Sequence, residues 1–435
     1  MSRRPAALLL AVCAALALGA CGRSDDDTRF IEPADVNAPE TPAKENPSVE
    51  IPSAATKNTT RLPGADPATI AADAALAVYP SATPGTRPGA VALVDQRDWR
   101  TALAASSLMG PPLGAPMLLT DPDELPGVSA QALKALAPAG AKDARGAQVI
   151  RVGTTPRPGN LRPTDITAAS PAATAAAIDS FLTSTRGTPS RRVVVVSADD
   201  PAFSMPAAAW AAKSGDPILF VGRTAVPGPT TTALRSRNNP KIFLLGPTAA
   251  ISAQVEKTLK NLGDVTRIDG STPVENAIAF ARFSDDDFGW GVNDPGHGLV
   301  FTRSDTPLNA GAAAPLSAAG TYGPLLLLDA AGTLPAPVRE FLLDIQPGYE
   351  EDPVRGVYNH AWIAGDDAAV SAALQAQIDD LLEISPVQKG AQGTSTTPGQ
   401  TQTATTPQAT TATTPTATTT STQLSTTPPT TTTTP

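Results

Sequence analysis

The 435-residue sequence predicts an α/β fold in which small parallel-sheet units repeat three times, and three observations carry that prediction. Continuous apolar strands recur at Val91-Ala92-Leu93-Val94, Val193-Val194-Val195-Val196 and Leu299-Val300-Phe301, with starts 102 and 106 residues apart. Strands that are apolar along their whole length belong to sheets covered on both faces. An Ala-rich helical stretch follows each of them and leads to a second strand opened by a proline, at Pro116, Pro217 and Pro324. A third strand closes on a glycine in each unit, at Gly153, Gly246 and Gly365. Coincident spacings in separate elements are a signature of internal repetition.

Taken in order, the chain opens on Arg3 and Arg4 and an apolar stretch from Ala6 to Ala20. That stretch is shorter than the roughly 20 residues a spanning helix needs, and small residues end it, so residues 1–20 are expected to be a signal peptide. Leu18-Gly19-Ala20-Cys21 resembles the lipobox of bacterial lipoproteins, which implies acylation of Cys21 and attachment to a lipid bilayer on the outer face of the cell membrane. A plain secretory signal or a short uncleaved anchor is the alternative. Cys13 leaves with the signal, so the mature chain is expected to have neither an intramolecular disulfide nor a cysteine nucleophile. Residues 21–59 are polar and Pro-rich, with Asp25-Asp26-Asp27, and read as a disordered tether that cannot offset its ordering entropy.

Three modules are expected at 60–165, 166–264 and 265–385. Pro67, Pro171 and Pro273 fit the first position of a helix, where a missing N–H costs nothing, with Asp66, Ser170 and Thr272 as N-caps. Residues 386–435 contain 23 Thr and 7 Pro, and Lys389 is their only charged side chain. Such a tail favours extended, solvated conformations, either as an O-glycosylated stalk or as an unmodified spacer. The folded middle, residues 60–385, carries a net charge of −8, which disfavours nucleic acid as a partner.

The repeated order Arg-(apolar)-x-Gly, helix, strand, Ala-rich helix, Gly-x-Pro-(apolar run), Leu-Pro and a strand ending in Gly resembles the cell wall binding repeat 2 family. It is carried best by Lys241-Ile242-Phe243-Leu244-Leu245-Gly246-Pro247-Thr248-Ala249-Ala250-Ile251-Ser252 and by Val265-Thr266-Arg267-Ile268-Asp269-Gly270. The resemblance covers roughly residues 60 to 385. It implies three tandem Rossmann- or flavodoxin-like modules packed as a pseudo-threefold unit, which hold a surface protein non-covalently to an anionic cell-wall polymer. The family's Arg-Tyr after the opening glycine is replaced here by Pro67-Ala68, Pro171-Ala172 and Pro273-Val274. The implied role is binding or structural, with no cofactor. A solute-binding lipoprotein of a transport system, or a protein scaffold that kept the fold without polymer binding, are the alternatives.

Among single residues, Arg61 and Arg267 stand at equivalent places beside a glycine where strand meets helix. Two readings stay open for them: an anionic ligand group, or a carboxylate of a neighbouring module. His297, near Asp285-Asp286-Asp287 and Asp294, reads as part of a solvated loop because the Asp spacing fits no EF-hand and no second His is near in sequence. His360 reads as a strand-edge residue, and Trp99, Trp210 and Trp362 as packing. Without a Gly-x-Ser-x-Gly elbow, a P-loop or a His-Glu-x-x-His motif, no enzymatic activity is expected.

Overall fold

The computed structural model describes residues 54–319 and 322–387. The signal segment, Cys21, residues 21–53 of the tether and the tail from residue 388 onward lie outside the described residues.

A short antiparallel hairpin of β1 (Ala54–Ala55) and β2 (Thr59–Leu62) leads into α1 (Pro67–Val78). There follow β3 (Val91–Asp95), α2 (Trp99–Ala105), β4 (Met117–Thr120), α3 (Gly127–Leu136), β5 (Val149–Val152) and β6 (Pro163–Ile166). The next stretch is α4 (Pro171–Arg186), β7 (Arg192–Ser197), α5 (Pro201–Ser204), α6 (Ala207–Ser214), β8 (Ile218–Val221) and α7 (Gly228–Arg235). It ends with β9 (Lys241–Leu245), α8 (Ala253–Leu259) and β10 (Asp264–Ile268). Then come α9 (Pro273–Arg282), the small hairpin β11 (Ser284–Asp285) and β12 (Phe288–Gly289), β13 (Gly298–Arg303), α10 (Pro307–Ala312) and α11 (Ala314–Ala318). The described chain finishes with β14 (Leu325–Leu328), α12 (Ala336–Asp344), β15 (Gly348–Tyr349), β16 (His360–Ala364), α13 (Ala372–Leu382) and β17 (Ser385–Pro386).

The fold is mixed α/β with helices interleaved between parallel strands, as the apolar runs predict. Three main sheets share one strand order: β4-β3-β5-β6, β8-β7-β9-β10 and β14-β13-β16-β2, with β1 added antiparallel at the last edge. The three strands that lead these sheets, β3, β7 and β13, are buried almost throughout. The fourth strand of each sheet ties it to the next. From β6 the chain passes into α4, which packs on β8; from β10 into α9, which packs on β14; and from β2 into α1, which packs on β4. Each repeat legible in the sequence thus begins in one sheet and continues in the next. The N-terminal strand completes the last sheet, with Thr59 opposite Ala361 and Leu62 opposite Ala364.

This corrects the expected extent of the tether. Residues 54–59 belong to the third sheet's edge, because their polar groups find partners on α13. Asn58 N donates to Asp379 Oδ1 at 2.7 Å, Thr56 Oγ1 to the same oxygen at 2.5 Å, and Lys57 pairs with Glu383 at 2.5 Å.

The caps expected from the sequence are present. Asp66 accepts from the backbone N–H groups of Ala68 and Thr69, Ser170 from that of Ala173, and Thr272 with Glu275 forms a reciprocal capping box. Thr272→Ala is expected to cost about 1 kcal/mol, read as a lower urea midpoint at unchanged m-value.

Alanine explains how the units meet. The short helices α2, α6, α10 and α11 lie against one another, and most of their residues are fully buried. Small side chains let these helices approach closely, and glycine tightens two of the contacts. A Cβ on Gly110 would sit 2.2 Å from Gly215 N, and one on Gly311 would sit 3.0 Å from Ala102 O. One hydrophobic cluster consequently runs through all three sheets, with a smaller one between α1, α3 and the first sheet.

Candidate functional site

In an open parallel sheet, ligands are held beyond the carboxyl ends of the strands where the strand order reverses. Here those points lie between β3 and β5, β7 and β9, and β13 and β16. At the first, Asp95 accepts from Arg97 N at 3.1 Å and pairs with Arg97 Nη2 at 2.6 Å. Burial pushes the Asp95 carboxyl up, but the Arg97 bonds outweigh it and hold the group below its ordinary value. At the second, Ser197 Oγ accepts from the N–H groups of Asp199 and Asp200, and Asp199 accepts from Arg223 N. At the third, Arg303 pairs with Asp305 at 2.8 Å. Carboxylates stand where a nucleotide site would present glycine N–H groups to a phosphate, so this geometry does not suit a dinucleotide.

The two arginines singled out from the sequence lie in register-equivalent positions. Arg61 on β2 stands opposite Ile363, two residues before Gly365, and Arg267 on β10 stands opposite Leu244, two residues before Gly246. Arg61 is 3% exposed; its Nε donates to Gln375 Oε1 at 2.8 Å, and Nη1 donates to the carbonyls of Gly365 and Asp366 at 2.8 and 2.9 Å. Its remaining nitrogen faces Asp367 at 3.5 Å. Burial lowers the guanidinium pKa, with Asp367 and Asp366 opposing. Arg267 donates to Glu256 Oε2 at 2.9 Å and to the carbonyls of Gly246 and Ile251 at 2.5 and 3.0 Å. Both side chains therefore pin the loop after the third strand to the fourth strand; of their nitrogens, Arg61 Nη2 alone is left without a hydrogen-bond partner among the described residues, facing Asp367. In the first sheet the roles are exchanged: the equivalent position is Asp165, and Arg151 opposite it on β5 reaches Asp165 at 2.7 Å and the carbonyls of Thr155 and Pro156.

Glu256 is held below its ordinary pKa by hydrogen bonds from Lys260 and Arg267. A depressed carboxylate stabilises the fold above its unfolded pKa, and that contribution is lost as pH falls through the folded value. The melting temperature of Glu256→Gln is therefore expected to fall less between pH 5 and pH 3 than that of the parent chain.

A polar and aromatic cleft lies elsewhere. It holds about 450 Å³ and is lined by Lys213 at the end of α6, Trp290 after the β11-β12 hairpin, and Tyr322, Tyr358, His297 and His360 around β13, β14 and β16. Gly296, Gly298 and Gly323 line it as well, and a Cβ on Gly323 would lie 1.6 Å from the carbonyl oxygen of Gly298. Lys213 Nζ stands 5.2, 4.6 and 5.1 Å from the ring centroids of Trp210, Trp290 and Tyr322, and burial lowers its pKa. His297 Nε2 is 3.0 Å from Asp294, while His360 packs edge-on against Trp362 at 5.8 Å, its pKa lowered by burial. The loop histidine and the strand-edge histidine of the sequence thus border one cleft. Asp285 and Asp286 pair with Lys241, and Asp287 with Arg192; among the described residues no group of His, Cys, Asp or Glu forms a metal cluster.

Of the tryptophans, Trp99 meets Phe220 across two units and Trp210 donates to Asp216 at 3.0 Å, both packing roles. Sequence reasoning missed Lys213, Trp290, Tyr322 and Tyr358. One signal was available: Tyr322, two residues before Pro324, replaces a glycine that the other units keep as Gly114 and Gly215.

Residues 166–256 match the cell wall binding domain 2 (CWB2) family. This is the family that the repeat motif resembles, and the CWB2 match runs from the last residue of β6 into α8. Among solved structures, Cwp8 from Clostridium difficile is similar at TM-score 0.57 and 17% identity, over 75% of this chain and 52% of that one. Cwp6 from Clostridium difficile is similar at TM-score 0.59 and 15% identity, over 75% of this chain and 48% of that one. The chain thus spans about half the length of each, and at these identities the likeness shows a shared fold. No curated protein sequence matches the chain.

Proposed function

We propose that this chain is a non-enzymatic cell-envelope protein that binds a cell-wall polymer through its three-sheet body. The observation that carries the reading is the CWB2 match over residues 166–256, seated in a fold shared with two Cwp proteins. Acylated Cys21 holds the chain to the outer face of the membrane, residues 21–53 tether it, and the Thr/Pro tail extends into the wall. The modules at 60–165, 166–264 and 265–385 act as one rigid body, since a common core and the β2 closure join them. The acidic turns at the strand ends favour this reading over nucleotide chemistry, and no catalytic constellation or cofactor is invoked. Arg61 and Arg267 serve the body by clamping its loops, so ligand contacts come from other side chains.

The test is cosedimentation of the full chain with walls from the source organism, before and after acid extraction of accessory polymers. The chain is expected to pellet with intact walls and to stay in solution with extracted ones. No pelleting with intact walls would overturn the reading.

A further inference from the structure

We propose that the cleft around Lys213 takes one sugar unit bearing a carboxylate or phosphate, so that the chain has a single such site although its fold repeats three times. This rests on the wall-polymer reading and names the place and chemistry of contact. Its volume of about 450 Å³ suits a sugar ring or two. Tyr322 and Tyr358 are 51% and 52% exposed, an unusual state for large aromatic side chains on a cleft rim. An exposed ring offers an apolar face to the C–H side of a pyranose. Tyr358 Oη already donates to the carbonyl of Pro353 at 2.7 Å and His297 Nε2 is bonded to Asp294, so the hydroxyl of Tyr322, the acceptor side of Tyr358 Oη and His360 are left to meet sugar hydroxyls at the edge. Lys213 supplies the charge. Three ring faces attract its ammonium but bring no counter-charge, and among the described residues it makes no ion pair. An anionic group on the ligand completes it. Trp290, which lines the same cleft, has a buried indole N–H with no acceptor among the described residues. It is one of six buried side-chain nitrogen or oxygen atoms without a hydrogen-bond partner among the described residues, and the one of them that belongs to a residue lining this cleft.

The repeat itself argues for one site. Lys213 precedes β8 by five residues; the positions five before β4 and β14 are Pro112 and Gly320. Tyr322 stands where the other units have Gly114 and Gly215, and Tyr358, seven before the closing glycine, stands where they have Gly146 and Asn239. Trp290 follows a hairpin that separates α9 from β13, and the links before β3 and β7 have no such hairpin. The features that make the cleft thus come from departures from the repeat and occur together at one junction.

The test titrates the full chain calorimetrically with three probes: the trisaccharide of galacturonic acid, maltotriose carrying one phosphate monoester, and maltotriose. One or both charged probes are expected to bind at one per chain and at least about tenfold tighter than maltotriose. The probe that binds tells carboxylate from phosphate. Lys213→Met is expected to weaken that binding about tenfold or more at unchanged melting temperature, Lys213→Arg to retain it, and Tyr322→Gly to weaken it. Equal binding of maltotriose, three sites per chain, or full binding by Lys213→Met would overturn the proposal. A chain that pellets with walls but ignores all three probes removes the cleft and leaves wall binding standing. A chain that fails to pellet removes the parent reading, whatever Lys213 binds.

Discussion

Arg61→Met is expected to lower unfolding stability by about 3 kcal/mol or more, because it leaves several buried acceptors without a donor. Met fills nearly the same volume, so the loss comes from polarity. Gln375 Oε1 and the carbonyls of Gly365 and Asp366 lose their donor in a place where Arg61 is 3% exposed. Each buried acceptor left unpaired costs about 1–3 kcal/mol. Arg61 also fastens the N-terminal strand to the third sheet, because β2 and the loop after β16 are more than 300 residues apart in sequence. Arg61→Lys should recover little, since one ammonium cannot serve acceptors arranged around a planar fork. Arg267→Met should cost less, because that side chain is 12% exposed and water can reach part of what it leaves. Urea unfolding of the three variants checks the order; a loss below about 1 kcal/mol for Arg61→Met would remove the clamp role.

Gly110→Ala is expected to destabilise by about 1–3 kcal/mol or more, although alanine is otherwise the residue from which these contacts are built. The backbone at Gly110 has φ −74, which any residue adopts, so strain at the residue itself is not the cause. The cause lies across the junction, where the new methyl would stand 2.2 Å from Gly215 N and 2.4 Å from Gly215 Cα. Those are backbone atoms at the end of α6, and they can yield only if the first and second units move apart. Gly127→Ala provides the contrast, because a Cβ there meets nothing within 4 Å. Equal melting temperatures for the two variants would show that the junction is not tightly packed.

The central strands and the Pro-led helices were legible because their signals are local. Val193 to Val196 is apolar along its length, and Asp66-Pro67 carries its cap and first helical residue side by side. Sheet membership of the opening strands was not legible. Thr59 pairs with Ala361, and no local pattern announces a partner that distant; the polar run before Thr59 reads as tether until Asp379 and Glu383 are brought to it. Equivalence of Arg61 and Arg267 was visible in the motif, but the exchange of Arg151 and Asp165 in the first sheet requires the strand register. The cleft was the least legible feature. Lys213, Trp290, Tyr322 and Tyr358 come from four separate stretches, and only the fold puts them around one space.

The most direct measurement is titration of the full chain with accessory polymer released and purified from walls of the source organism, followed by calorimetry in solution. Saturable binding that is retained by Gly127→Ala and weakened by Lys213→Met is the predicted result. A folded chain that shows no heat of binding at any polymer concentration would contradict wall attachment through this fold.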